Sequence, residues 1–140
     1  MKDGSESTER ARSLMEGLRW NSRPLLLFEP ENKEFSGTPA QWTKLRRQVA
    51  AETEALEERD MVVIRVTGES GSLGDRELPP ETAAALCTLF GVNQGTYEAI
   101  LVGKDGGTKL RRTGGTELRE IFQLIDSMPM RRAEMARRRP

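Results

Sequence analysis

The feature that most constrains the fold is the stretch YEAILVGKDGGTKLRR, residues 97–112. Its first half contains an unbroken apolar run, which is typical of a strand covered on both faces. Its second half is rich in charged residues, and Leu110 is the only side chain there that suits a core. This pattern is typical of an edge strand. Between the halves, Asp105 tolerates a tight turn, and positive φ angles cost little at Gly106 and Gly107. The stretch therefore predicts a β-hairpin with one interior strand and one edge strand.

Two further apolar runs predict buried strands. They are LLLF at residues 25–28 and VVIRV at residues 62–66, the second interrupted only by Arg65. The segment between them is long enough for a helix. A helix that joins two buried strands forms a right-handed βαβ unit, which makes the two strands parallel.

The connecting segment carries a strong helix-start signal. Thr38 can act as the cap, Pro39 suits the first helical position, and Gln41 can complete a capping box. We expect one long helix that runs from this signal to about Arg59. Its core-facing side chains repeat at helical spacing and are Trp42, Leu45, Val49 and Leu56.

The rest of the chain supplies three more helices and the boundaries of the domain. Apolar stripes predict helices that begin at Thr8, at Pro80 and close to Thr116. Residues 67–78, between the second strand and the Pro80 helix, are rich in glycine and charge and predict a loop. Polar residues 1–7 are expected to be disordered, residues 8–130 to form a single domain, and residues 131–140 to form a basic tail.

This order of elements indicates an α/β fold of the thioredoxin type. It consists of a parallel βαβ unit followed by an antiparallel hairpin, so the central mixed sheet has about four strands with helices on both faces. A flavodoxin-type sheet would require the two hairpin strands to be parallel. The connection through Asp105, Gly106 and Gly107 is too short for a parallel crossover, so that alternative is excluded.

The composition excludes several classes of function. The chain has no histidine, which excludes Ser-His-Asp triads and histidine-ligated metals. Its formal net charge is zero, which disfavours nucleic acid as a partner, although acidic residues dominate the first part of the chain and basic residues the last. The N-terminus as written lacks the apolar segment of a signal peptide, so we expect a cytoplasmic protein, or a periplasmic or secreted one if a leader has been removed.

Four segments resemble a known family. They are LRWNSRPLLLF at residues 18–28, ERDMVVIRV at 58–66, ILVGKDGGTKLR at 100–111 and LIDSMPMRRAEM at 124–135. They resemble the peroxiredoxin-like domain of unknown function that is present in small bacterial proteins and in sushi-repeat-containing and coiled-coil-domain-containing vertebrate matrix proteins. The resemblance implies a thioredoxin-like fold but brings no settled activity.

The position of the only cysteine argues against thiol catalysis. In thioredoxin and peroxiredoxin enzymes the working cysteine follows the first strand, at a helix N-terminus that stabilises the thiolate. Here that place is residues 29–41, which contain no cysteine. Cys87 instead falls on the apolar stripe of a predicted helix, where burial raises the pKa of a thiol. We therefore expect a redox-inactive protein, with a weak thiol oxidoreductase or peroxidase that uses Cys87 as the alternative.

Candidate binding residues lie in the hairpin and near the C-terminus. Asp126 can pair with Arg131 or with Lys109, which would fix the last helix against the edge strand. Methionines beside arginines can form an adaptable partner surface. The candidate residues are Lys104, Asp105, Lys109, Arg111, Asp126, Met128, Met130, Arg131 and Arg132.

These observations favour a non-catalytic binding module. We expect it to bind a protein, or an envelope or matrix polymer, through the hairpin and the basic C-terminal face, with no cofactor and no metal. A second alternative is anion or nucleic-acid binding, either at Arg111 and Arg112 beside a helix start or through the arginines at residues 137–139. The sequence does not predict an oligomeric state.

Overall fold

A computed structural model of the chain describes residues 4–31, 37–93 and 95–138. These residues form one sheet of six strands, in the order β4-β3-β2-β1-β5-β6, with helices on both faces. In chain order the elements are α1 (Gly4–Leu18), β1 (Arg23–Glu29), α2 (Ala40–Ala51), α3 (Thr53–Glu58), β2 (Met61–Thr67), β3 (Ser70–Leu73), β4 (Arg76–Leu78), α4 (Pro80–Phe90), β5 (Glu98–Val102), β6 (Thr108–Thr113), α5 (Leu118–Asp126) and α6 (Pro129–Arg138).

The centre of the sheet agrees with the expectation from the apolar runs. β1 is parallel to β2 and antiparallel to β5, so that Leu26 lies opposite both Ile64 and Ile100. Every residue of β1 is buried. The strand with the longest apolar run therefore occupies the interior of the sheet, where both of its faces are covered.

The predicted hairpin is confirmed. β5 and β6 are antiparallel, Leu101 faces Leu110, and Leu110 is the only buried residue of the edge strand β6. The loop occupies residues 103–107, where Gly106 has a φ of 86°. Gly107 does not have the predicted positive φ; its N–H instead donates to the Asp105 carboxylate at 2.9 Å, which shapes the turn.

The sheet has six strands rather than the expected four. The segment predicted as a loop over residues 67–78 contains β3 and β4, which extend the sheet from β2 as an antiparallel meander. Gly71 allows this packing, since a Cβ there would lie 2.9 Å from the Cβ of Ala83 on α4. The strands are short and their sequence, SGSL and REL, has weak β-propensity, so pairing with β2 decides their conformation.

The two faces of the sheet carry two cores. α2, α3 and α5 cover one face, whereas α1 and α4 cover the other. The helix predicted to begin at Thr8 begins at Gly4, so residues 4–7 are helical rather than disordered. The first core includes Leu25, Trp42, Leu45, Leu101 and Ile121, and the second includes Ala11, Phe28, Ile64, Leu86 and Ile100.

The helix predicted between residues 38 and 59 is divided. α2 ends at Ala51 and α3 begins at Thr53, because Glu52 leaves the helical region with a φ of −112° and a ψ of 39°. The capping prediction is wrong: Thr38 forms no cap, and its hydroxyl lies 3.1 Å from the hydroxyl of Tyr97. The apolar face was predicted correctly, since Trp42 and Leu56 are both buried.

The C-terminal segment is a helix and not a free tail. α6 continues to Arg138, and its Arg131 and Glu134 are buried. The sequence predicted a basic tail over residues 131–140. Arg132, Arg137 and Arg138 are exposed, whereas Arg131 is buried because it forms ion pairs with Glu58 and Asp126.

Candidate binding site

Candidate residues from two distant parts of the sequence meet in one cleft. The loop between β5 and β6 and the start of α6 enclose a volume of about 210 Å³ at the end of the sheet where β1 begins. The lining includes the candidate residues Lys104, Asp105, Lys109, Met128 and Met130, together with Arg23, Gly103 and Pro129. The hairpin and the last helix therefore form one surface, as the sequence suggested.

Beneath this cleft lies a cluster of buried charges. Arg23 is 1% exposed and donates to both carboxylate oxygens of Glu134, at 3.1 and 3.0 Å. The ammonium group of Lys104 donates to Glu134 at 2.7 Å and to Asp60 at 2.8 Å. Glu134 thus lies between two cations, and it ties α6 to the first residue of β1 and to the hairpin loop.

The charge of Glu134 is maintained by these contacts. Burial by itself raises the pKa of a carboxyl group, but the hydrogen bonds from Arg23 and Lys104 outweigh burial and lower the pKa of Glu134 from 4.5 to about 2. The carboxylate is therefore ionised at neutral pH. Because the Glu134 carboxylate is paired with Lys104, Lys104 anchors the loop to α6 and is not a free cation.

A second set of ion pairs extends the cluster. Arg131 donates to Asp126 at 3.1 Å and to the backbone and side-chain oxygens of Glu58 at 3.0 and 3.1 Å. Asp126 also accepts two hydrogen bonds from Arg59, at 3.1 and 2.9 Å. Burial raises the pKa of Asp126, but these bonds outweigh it and the net pKa is lowered. α6 is therefore fixed against the end of α3.

Lys109 does not take part in this second set of ion pairs. It lies in β6 and pairs with Asp105 of the hairpin loop at 2.9 Å. This hydrogen bond is the main cause that lowers the pKa of Asp105. Of the two alternatives predicted for Asp126, Arg131 is the observed partner and Lys109 is not, so Asp126 does not link the last helix to the edge strand.

The rim of the cleft is apolar and accessible. Met130 is 41% exposed, Met128 is half-buried against the first core, and Pro129 between them is exposed. Arg132 is exposed on α6 one helical turn after Met128, but it does not line the cleft. The rim consequently presents flexible thioether side chains over a floor whose charges are already compensated, with a cation beside it.

Comparisons with known proteins place the chain in a family. Residues 14–134 match the family model described as "Domain of unknown function (DUF4174)". The chain belongs to this family. No protein in a curated collection matches it.

A solved structure supports the fold assignment of this domain. Thioredoxin peroxidase I from Plasmodium yoelii is similar, with a TM-score of 0.60, 15% sequence identity, and coverage of 84% of this chain and 79% of that one. At this identity the likeness concerns the fold alone. The predicted thioredoxin-like, peroxiredoxin-like fold is confirmed, with two more strands than expected.

Arg111 lies outside the cleft. Its guanidinium group bonds with the carboxylate of Glu98 and donates to the backbone oxygen of Phe90 at 2.7 Å. Arg112 pairs with Glu120 at 2.7 Å. The two arginines considered for an anion site beside the start of α5 are therefore both engaged by carboxylates.

Cys87 lies in the last turn of α4, half-buried against the second core. Burial is the main cause that raises the pKa of its thiol from 9.0. A raised pKa leaves little thiolate at neutral pH, and the thiolate is the reactive form. This geometry does not favour a thiol peroxidase that uses Cys87.

We expect slow modification of Cys87 in the folded protein. At pH 7 a coloured disulfide reagent should label it several-fold more slowly than it labels the urea-unfolded chain, because burial limits both access and ionisation. The time course of absorbance measures both rates. Equal rates in the folded and unfolded states would contradict the assignment of Cys87 to the core.

Sequence reasoning did not find the partners that hold the site together. Arg23, Asp60 and Glu134 are widely separated in the chain, although each lies in one of the segments that resemble the family. That resemblance did not assign them a role, and the other signal was a charged residue at the start of an apolar strand, as Arg23 is in β1. A charge in such a place needs a buried partner, but the sequence does not say which residue provides it.

Two structural facts concern membranes and metals. Among the residues that the structure describes, no helix is both long enough and apolar enough to cross a bilayer. Within the same residues, no three carboxylate or cysteine side chains converge in a way that could hold a metal ion.

Proposed function

We propose that this protein is a binding module that works without thiol chemistry and holds a segment of a partner protein in the cleft between the hairpin loop and α6. The supporting observation is the accessible methionine rim above charges that are already compensated. Met130 is 41% exposed, and Lys104 in the floor is 9% exposed with two carboxylate partners.

The size of the cleft favours a partner's side chain over a free small molecule. Its volume of about 210 Å³ lies below the roughly 300–1,000 Å³ that is usual for small-molecule sites. One apolar side chain of a partner fits such a space. Protein interfaces concentrate their binding energy in anchors of this kind, which fill a small pocket near the centre of the contact.

The residues of the rim indicate the chemistry of the partner. Methionine side chains adapt to apolar partners of different shape, as Met128 and Met130 can here. Among the described residues, the side chain of Arg132 has no hydrogen-bond or ion-pair partner, so it can meet a carboxylate. We therefore expect a segment with an apolar residue close to an acidic one. Of the partners expected from the sequence, a protein suits this rim better than a hydrated polymer does.

Capture experiments test this proposal. The immobilised wild-type domain, the Met130→Asp variant and the Ala136→Asp variant are compared for proteins retained from an extract of the organism that encodes the chain. Ala136 is exposed on the same helix and does not line the cleft, so its variant controls for the added charge. Quantitative mass spectrometry should find a protein whose retention falls at least about tenfold for Met130→Asp alone, as expected for an interface anchor.

Two results would contradict the proposal. One is that every retained protein binds the Met130→Asp variant as well as it binds the wild type. The other is peroxide consumption that disappears in Cys87→Ser, which would show thiol catalysis. Because Met130 is exposed, its substitution leaves the core intact, and circular dichroism confirms that each variant is folded.

A further inference from the structure

A separate group of charges lies at the other end of β1. Arg65 interrupts the apolar run of β2, and the parallel register places it beside Leu27. Its side chain is 41% exposed, whereas its neighbours Ile64 and Val66 are buried on the opposite face of the sheet. β1 contains seven residues, so this group lies about 20 Å along the strand from the cleft at Arg23.

Arg65 is held by a buried carboxylate. Glu29, at the end of β1, has a side chain that is 1% exposed, and it accepts hydrogen bonds from Arg65 at 2.7 Å and from Arg46 of α2 at 3.4 Å. A buried carboxylate of this kind fixes the positions of both guanidinium groups. Arg47, the next residue of α2, is exposed and has no ion-pair partner among the described residues.

These arginines line a pocket with an apolar floor. The pocket has a volume of about 390 Å³ and lies between α2 and the exposed part of β2. Arg46, Arg47 and Arg65 provide its charge, and none of the described residues that line it is acidic. Leu27, Val49 and Ala50 provide apolar surface. The volume falls within the roughly 300–1,000 Å³ that is usual for sites that bind small molecules.

The arginines have hydrogen-bonding capacity that the protein does not use. Each guanidinium group has five N–H donors, and Arg46 and Arg65 each direct one to Glu29. The side chains of Arg46 and Arg65 are 40% and 41% exposed, so N–H groups that do not bond to Glu29 are open to a ligand in the pocket.

We propose that this pocket binds a small organic carboxylate with an apolar body. The planar carboxylate accepts paired hydrogen bonds from a guanidinium group, and the apolar body covers Leu27 and Val49. Glu29 compensates only part of the charge of Arg46, Arg47 and Arg65, so an anion is preferred over a neutral molecule of the same shape. An inorganic anion leaves the apolar floor exposed to water and binds less tightly.

Titration of the intact domain with benzoate tests the proposal. Amide resonances are followed by NMR, with benzamide as the neutral probe of the same shape and sodium sulfate as the inorganic anion. We expect saturable benzoate shifts at the resonances of Thr43, Ala50 and Arg65, at least about tenfold weaker binding of benzamide, and weaker binding of sulfate.

Three variants locate the site. Arg47→Gln removes an exposed arginine of the pocket that has no ion-pair partner within the described ranges, so we expect the fold to be retained and benzoate binding to weaken several-fold. Arg65→Gln should weaken binding further, with folding checked by the dispersion of the spectrum. Arg119→Gln removes the same charge from the exposed surface of α5 and should leave binding unchanged.

Several outcomes would overturn the inference. They are equal binding of benzamide and benzoate, sulfate binding as tight as that of benzoate, the same loss in Arg119→Gln as in Arg47→Gln, and no saturable benzoate shifts in the wild type. Arg47→Gln keeps the test decisive even if Arg65→Gln fails to fold. Because the pocket and the methionine cleft lie at opposite ends of β1, failure here leaves the proposed partner binding unaffected.

Discussion

Replacement of Glu134 by alanine should lower the free energy of unfolding by about 3–5 kcal/mol. The change leaves Arg23 and Lys104 buried, at 1% and 9% exposure, without the carboxylate that both share. A buried charge that has lost its partner is far more unfavourable than a broken surface pair. Helix propensity does not offset the loss, because alanine and glutamate are both good helix formers. Urea unfolding followed by circular dichroism measures the change.

Glu117→Ala provides the matched control. Glu117 pairs with Lys44 at 3.1 Å, but both side chains are about half exposed, at 51% and 56%. Surface pairs contribute roughly 0–1 kcal/mol, so this variant should unfold almost as the wild type does. Similar losses for Glu117→Ala and Glu134→Ala would contradict the structural role of the buried cluster.

Acidification should remove the stabilisation that Glu134 provides. The pKa of Glu134 is about 2 in the folded protein, whereas the ordinary value of 4.5 applies to the unfolded chain. As the pH falls, the unfolded chain therefore takes up the proton first. The contribution is complete above pH 4.5 and is lost as the pH falls toward 2. By thermodynamic linkage, a pKa shift of this size contributes about 3 kcal/mol to the free energy of unfolding. Urea unfolding at a series of pH values between 7 and 2 measures the loss.

The variant Glu134→Gln separates this effect from general acid destabilisation. It lacks the titrating group, so its stability should fall less steeply between pH 4.5 and 2 than that of the wild type. Asp126 also has a lowered pKa and contributes in the same direction, which leaves a residual slope in the variant. Parallel slopes for the wild type and Glu134→Gln would show that Glu134 does not have the lowered pKa.

The buried cluster also matters for the proposed partner site. Glu134 links α6 to the hairpin loop through Lys104, and the methionine rim lies where these two elements meet. Any variant that breaks the cluster is therefore expected to disturb the cleft. For this reason the test of partner binding uses Met130 on the rim and not a residue of the floor.

The local sequence determined much of the sheet. The apolar runs in β1, β2 and β5 identified three interior strands because a continuous apolar run suits a strand covered on both faces. The single apolar residue of β6, Leu110, identified the edge. The short connection through Gly106 fixed the antiparallel pairing, since parallel strands need a longer crossover.

The shorter and more polar elements depended on tertiary contacts. β3 and β4 have weak intrinsic preference for strands and form because β2 offers a free edge. Glu52 divides the predicted long helix, although the helical spacing of Trp42 and Leu56 continues across the break. The segment of α6 was predicted as a basic tail, yet Arg131 is 1% exposed because Asp126 of α5 and Glu58 of α3 form ion pairs with it. Of these two partners, the sequence had indicated Asp126 alone.

The candidate site shows the same division. The sequence by itself identified Lys104, Met128 and Met130 as candidates, because they lie in the hairpin and C-terminal segments that resemble the family. Only the tertiary structure decided that Lys104 and Arg23 share Glu134, which lies 111 residues after Arg23 in the chain. Apolar burial follows from local pattern, whereas a buried ion pair depends on the three-dimensional approach of two charges.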